Sequence, residues 1–387
     1  MLGRVTDLDV RPADSGRLLS RPLVLLLALS FGSLASLYLL LPVVPLYVAA
    51  GGGGDVGAGA ATGVMMLSTV LAELAVPGLL ARFGYRAGLA LGLVLLGGGS
   101  VVMTASPALA LVLAACAARG VGLAIVVVAG PVLVAELVPE RRRGEALGVY
   151  GVAVGGPAIV GLPLGLWLSV RFGYETVMVA GAAPALLALA AVPGLPLRPR
   201  RAEARAEGPG GLRGLASLTV VFAALTLAAG VLLTFLPLAV PAGARGIAAL
   251  ALLVHACTMP LARWAAGRYG DRHGPAGLLV PSVLTAAAGM AGLVWLREPY
   301  TVVAGAALFG AGFGAAQNVT LALMFQRAPR SGFGRVSTLW NLAYDGGLGL
   351  GAVGFGLVAG PAGYTWGFAL TAAVLFAAIV PAWRART

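Results

Sequence analysis

Four ionisable residues stand inside apolar stretches that offer them no water: Glu73, Arg119, His255 and Asp345. A charge at mid-bilayer costs ~2.5–3.5 kcal/mol on insertion scales, so each such group is a candidate for function. The chemistry open to them is binding and releasing a proton. Asp345 stands out. Ser337, Asn341 and Asp345 are spaced i, i+4, i+8 and share one helix face, and Trp340 and Tyr344 form a neighbouring i, i+4 pair. A polar and aromatic stripe on a glycine-rich helix must face protein or water rather than lipid. A carboxyl there, pulled one way by desolvation and the other by a nearby arginine, can couple protonation to conformation. The bland alternative is a static aspartate hydrogen-bonded to its neighbours.

The other three carry the same two readings. Glu73 lies about eight residues, or ~12 Å at 1.5 Å per residue, from the basic end of its stretch. It is a second proton site or a fixed partner for an arginine. Arg119 is a proton-relay residue or the structural partner of a buried carboxylate. His255 titrates in the right range for proton work, but a lone histidine among helices also serves as an interhelical hydrogen-bonder. Gln317, Asn318 and Tyr38 are milder candidates for lining a cavity with Asn341, Trp340 and Tyr344. Ser30 and Ser33 read rather as interhelical glue.

Much chemistry is excluded. The chain has no lysine, since all 26 basic residues are arginine. A Walker A phosphate loop needs that lysine, and Schiff-base catalysis needs it too. No nucleophile elbow and no zinc constellation appear. The two cysteines, Cys116 and Cys257, lie in apolar stretches, which argues for free thiols. No cofactor and no metal is expected.

These residues are set in a membrane. The chain is 59% hydrophobic and 10% charged, against about 25% charged for a soluble domain. Twelve stretches approach the ~20 apolar residues a spanning helix needs: roughly 23–48, 57–81, 87–105, 107–135, 146–170, 176–195, 214–240, 246–262, 275–296, 301–325, 336–359 and 363–383. All the arginines except Arg119, Arg171, Arg245 and Arg297 fall in alternate connections or the termini. The positive-inside rule places both termini in the cytoplasm. The net charge of +12 is thereby sorted against a bilayer, and no nucleic-acid partner is expected. Residues 1–22 are polar, and the first span can serve as a signal anchor.

Residues 196–214, with five arginines, read as a flexible cytoplasmic linker. They separate a six-helix block at 23–195 from another at 215–383, with a short tail at 384–387. The blocks repeat at one constant offset in the numbering. Pro77-x-x-x-Ala81-Arg82-Phe83-Gly84 aligns with Gly267-x-x-x-Asp271-Arg272-His273-Gly274. Arg119-Gly120-Val121-Gly122 aligns with Phe309-Gly310-Ala311-Gly312, Gly144 with Gly334, and Gly156 with Gly346. The glycine-rich outer loop Gly51–Gly57 accounts for a shift near the first span of each half. Parallel six-helix repeats are a transporter architecture with the site at mid-membrane between them.

At these residues the chain resembles the major facilitator superfamily. Gly267 to Gly274 is similar to that family's loop motif after the second span of a half. The first-half copy keeps Arg82 and Gly84 but has Pro77 and Ala81 in place of the glycine and the aspartate. The resemblance implies a cytoplasmic conformational gate built on Gly267, Asp271, Arg272, Gly274, Arg82 and Gly84, with Asp271 as its acid. Arg119 with Gly120 and Gly122 resembles the family's arginine motif. Gly155, Gly156, Pro157 and Gly161 resemble the glycine–proline motif of its drug:proton antiporters. The family's acid in the first span is absent.

The expectation is an all-α integral membrane protein, twelve transmembrane helices in two six-helix pseudo-repeats, and not an enzyme. It would work as a monomer in the bacterial plasma membrane, exporting small apolar or amphiphilic molecules by alternating access in exchange for protons. Uptake by symport or facilitated diffusion of a metabolite or sugar is the alternative. Two rivals fare worse. Gly52-Gly53-Gly54-Asp55 and Tyr344-Asp345 formally match intramembrane aspartyl proteases, but in reverse order and with Asp55 expected in a loop. A receptor would add a soluble domain, and every connection here is short.

Overall fold

The computed structural model describes residues 19–197, 215–329 and 332–386. Most of the expected linker and of the N-terminal segment lies outside them, as does Arg330. The described residues form helices, tight turns and short connections, with no strand among them.

The crossings are α1 (Arg21–Leu40), α4 (Leu109–Leu137), α5 (Arg143–Phe172), α6 (Tyr174–Leu187), α7 (Ala216–Ala239), α8 (Arg245–His273), α9 (Leu279–Gly292), α10 (Pro299–Arg327), α11 (Phe333–Ala362) and α12 (Tyr364–Ala377). Between α1 and α4, one helical run from Gly54 to Val102 is broken at Gly84, with φ 84° and ψ 170°. It therefore divides into α2 (54–83) and α3 (85–102). By length and hydropathy, nine helical stretches qualify as spans among the described residues; the first, Arg21–Ala105, holds α1, α2 and α3, and the apolar helix Ala276–Gly292 is shorter. Twelve crossings result.

The repeat reappears in the backbone. Gly84 and Gly274 turn α2 into α3 and α8 into α9; Gly173 and Gly363 turn α5 into α6 and α11 into α12. Both pairs keep the offset seen in the sequence, and all four glycines have φ between 81° and 84°. A side chain with a Cβ rarely adopts that conformation.

Small residues let the helices approach. A Cβ on Gly347 or Gly351 would meet Thr226 Oγ1 or the Leu227 carbonyl at 2.0 Å, so α11 lies directly on α7. Gly310 and Gly314 do the same for α10 against α8, and Gly161 and Gly165 for α5 against α1. Gly151 and Gly155 meet nothing within 4 Å, so that spacing makes no helix contact here.

Two sequence expectations are corrected. The Gly51–Gly57 loop is shorter than expected: the chain turns at Gly52 (φ 91°) and Gly54 (φ 58°), and helix α2 runs on from there. Asp55 is thus in the first turn of a span rather than in a loop. The eighth helix runs past the expected span end at 262 to His273, so Arg263, Arg268 and Arg272 all lie on it.

Candidate functional site

The six-helix halves meet along α2 and α11, and α5 packs against α8. Arg82, Arg86, Arg141 and Arg327 mark one end of the molecule, the arginine-rich end. Near the opposite end, Thr234 of α7 donates to Thr62 of α2 at 3.1 Å, and the Tyr364 hydroxyl of α12 donates to the Asp55 carboxyl of α2. Deeper along the same seam, the Glu73 and Asp345 carboxyls, one from each half, are close enough to feel one another's charge.

Each carboxyl is held by its own half. Thr69 Oγ1 donates to the Gly120 carbonyl at 3.1 Å, and a Cβ on Gly120 would strike the Met65 carbonyl at 2.2 Å, so α2 is fixed on α4 just before Glu73. Thr226 Oγ1 donates to the Ala343 carbonyl at 2.7 Å, fixing α11 on α7 just before Asp345. One oxygen of Glu73 is buried without a partner.

Around the pair lies a mixed polar and aromatic lining. Tyr38 of α1 and Tyr344 of α11 are close enough to Asp345 and to Arg263 to feel their charges. Arg263 Nη1 donates to Gln317 Oε1 of α10 at 3.2 Å. Trp340 stacks on Phe222 of α7 at 4.5 Å and 18° and continues to Tyr344 at 5.7 Å. The Trp340 indole nitrogen is buried with no partner. Asn341 is half-buried beside this stripe, and Ser337, one turn nearer the arginine-rich end, and Arg263 are exposed.

The remaining expected residues lie elsewhere. Arg119 is 1% exposed within the first half, where Nη2 donates to the Ser36 carbonyl at 3.2 Å and Nε has no partner. Among the described residues no carboxylate pairs with it, so the expected ion pair is not formed. His255 sits inside the second half, its ring stacked on Phe309 at 5.7 Å. Asn318 lies beside Gly267, where a Cβ would come within 3.2 Å of its amide. Pro157 is buried in α5, and Gly161 packs on Tyr38, while Gly155 and Gly156 face open space.

At the arginine-rich end no side-chain hydrogen bond or ion pair joins the gate residues to one another among the described residues. Asp271 and Arg272 are exposed, and Asp271 bonds to none of the described residues. Arg82 lies over the Phe83 ring at 5.2 Å, while Gly84 and Gly274 make the turns already described. The protease-like pairing of Asp55 with Asp345 fails on geometry. Asp345 is against Glu73, and 18 positions of helix, ~27 Å at 1.5 Å per residue, separate Glu73 from Asp55. Among the described residues no cluster of three or more metal-ligating side chains is found.

Sequence reasoning missed Arg263 and Phe222. Arg263 was counted with the basic inner residues because the apolar stretch ends at 262, and the continuation of α8 to His273 leaves no mark in hydropathy. Phe222 gave no signal, because an aromatic in an apolar span is indistinguishable from core.

The comparisons with known proteins agree with this architecture. No curated protein sequence matches the chain. Among solved structures, a point mutant of the nucleoside transporter NupG superposes with a TM-score of 0.75 at 12% identity, covering 94% of this chain and 99% of that one. A bacterial homologue of the human lysosomal transporter Spinster, in an inward-facing and unoccupied conformation, gives 0.74 at 16% identity, covering 96% and 98%. The xylose transporter XylE from E. coli, in an inward open conformation, gives 0.75 at 14% identity, covering 93% and 95%. The family model of the Major Facilitator Superfamily matches residues 26–352. The chain belongs to the Major Facilitator Superfamily and is a multi-pass membrane transporter of a small molecule, not an enzyme.

Proposed function

We propose that this transporter exports small apolar or amphiphilic molecules across the bacterial plasma membrane in exchange for protons. Residues 23–195 and 215–383 rock against each other as two bodies, with the arginine-rich end and both termini in the cytoplasm. The observation that carries the reading is the Glu73–Asp345 pair. Each half supplies one carboxyl, so the pair exists only while the halves are together at this depth. Ionising both puts two like charges side by side in a largely apolar seam, and the pair then favours taking up a proton or separating. Protonation and conformation are thereby the same event.

The lining suits the cargo class. Trp340 and Tyr344 offer flat apolar faces, backed by the buried Phe222, and a few polar groups (Arg263, Gln317, Asn341 and Tyr38) fix orientation, the usual make-up of a small-molecule site. Cargo enters from the cytoplasm past Ser337 and Arg263, the exposed polar residues on the arginine-rich side of the pair.

The test uses everted membrane vesicles with an acidified lumen and a pH-sensitive dye. Drugs, metabolites and sugars are added in turn. A compound that collapses the gradient only when the transporter is present supports exchange and identifies the cargo. Equilibration of labelled compounds with no proton movement would make facilitated diffusion the function instead.

A further inference from the structure

The GGGD stretch that begins α2 finds no role in the central site, yet the structure places it at a junction. Asp55 is the first residue after Gly54, whose φ is 58°. Tyr364 is the first residue after Gly363, whose φ is 82°. Each therefore heads a span, directly after a backbone turn that glycine permits. The two come from opposite halves and are 309 positions apart in sequence, and they are joined by a side-chain hydrogen bond.

Several contacts converge on this bond. A Cβ on Gly356 would meet the Asp55 carbonyl at 2.6 Å, so the backbones of α2 and α11 touch beside it. A Cβ on Gly59 would meet the Ala352 carbonyl at 2.3 Å, one turn further along. Thr62 and Thr234 supply a second side-chain bond one turn deeper. Phe355 stacks on Tyr364 at 6.3 Å and 18°, and packs on Phe235 at 4.6 Å, holding the phenol in place. At the other end of the molecule Asp271 has no partner among the described residues.

We infer that Asp55 and Tyr364 form a latch that seals the arginine-poor end of the transport path, with Thr62–Thr234 as its second tie, and that the latch opens and closes once per transport cycle. Neither residue touches the Glu73–Asp345 pair; both are positioning residues. The latch rests on the reading of alternating access but on neither proton exchange nor cargo identity. Removing it shifts the resting population toward the form open at the arginine-poor end, because that form never makes these bonds. The repeat supplies no counterpart in the same chemistry. The positions it aligns with Asp55 and Tyr364 are Arg245 and Tyr174, so an acid is matched by a base.

Met66 reports on the seal. It is 3% exposed and lies under Gly349 of the opposite half. The full chain carrying Met66→Cys is purified into nanodiscs and reacted with a water-soluble maleimide, so membrane sidedness does not matter. Protein lacking Met66→Cys corrects for Cys116 and Cys257. Tyr364→Phe keeps the ring on Phe355 and removes only the hydroxyl. It is expected to raise the labelling rate about tenfold, the scale of one lost hydrogen bond to a carboxyl. Asp55→Asn, which retains an acceptor, gives a smaller rise. Gly59→Ala, a minimal wedge against the Ala352 carbonyl, serves as a positive control. If the wedge raises labelling and Tyr364→Phe and Asp55→Asn do not, the latch is overturned. If none of the three does, in protein that stays monodisperse, the latch and the alternating-access reading fall together.

Discussion

Glu73 of α2 and Asp345 of α11 face each other across the boundary between the two six-helix halves, each fixed by a threonine of its own half bonded across helices, Thr69 to Gly120 and Thr226 to Ala343. A carboxyl pair divided in this way reports on the relative position of the halves. If the pair is one unit, Asp345→Asn and Glu73→Gln should each lower proton-driven flux by about 100-fold. The double variant should be no worse than either single one, because residues acting together are non-additive. Dye-quench rates in everted vesicles measure this. Losses that simply multiply would show two independent sites.

His255 is expected to matter little to coupling. Its ring is stacked on Phe309 of its own half, and no described bond joins it to Glu73 or Asp345. His255→Gln should keep proton-coupled flux within about twofold in the same dye assay, since no charge changes near the carboxyl pair. A loss as deep as that of Asp345→Asn would place the histidine in the proton path.

The aromatic stripe should govern affinity. Trp340→Ala removes the face stacked on Phe222 and should raise KM about tenfold with kcat little changed, the pattern of lost uniform binding. Trp340→Phe should recover most of it. Uptake of labelled cargo into vesicles, fitted over concentration, separates the two constants.

Stability should follow the glycine contacts. Gly347→Ala would press a methyl onto Thr226 Oγ1 and the Ala223 carbonyl, and overpacking of this kind costs about 1–3 kcal/mol. Gly151→Ala meets nothing within 4 Å and should leave the melting temperature unchanged or slightly higher, as alanine favours helix. Thermal unfolding in detergent, followed by tryptophan fluorescence, distinguishes them.

The sequence made the architecture legible because membranes write it in coarse terms: apolar length, arginine sorting and a repeat at one fixed offset. The turns at Gly84, Gly173, Gly274 and Gly363 keep that offset in the backbone. The site was legible only in part. Helical spacing groups Asp345, Trp340 and Tyr344 as one stripe, while Glu73, Gln317 and Tyr38 stand out singly as polar or aromatic residues within spans. That Glu73 meets Asp345, while Arg119 and His255 stay inside their own halves, depends on helix rotation and on which helices touch. Neither can be read from hydropathy when every face is apolar. Arg263 was lost for a related reason: α8 continues past the apolar stretch to His273, and an arginine near a span end resembles an interfacial one. Asp55 was lost to a glycine run that reads as loop throughout, whereas the turn ends at Gly54 and the helix follows at once.

Protonation of the Glu73–Asp345 pair should set the conformation of the transporter. The direct measurement is maleimide labelling of Met66→Cys in nanodiscs as a function of pH, normalised to Glu298→Cys, an exposed position that corrects for thiol reactivity. With the pair intact, raising the pH ionises both carboxyls, their repulsion drives the halves apart, and normalised labelling should rise. Tyr38, Tyr344 and Arg263 remain nearby in every variant. With Asp345→Asn the repulsion is gone and the profile should be flat. A wild-type profile that is flat, or an Asp345→Asn profile that keeps the wild-type slope, would contradict this coupling.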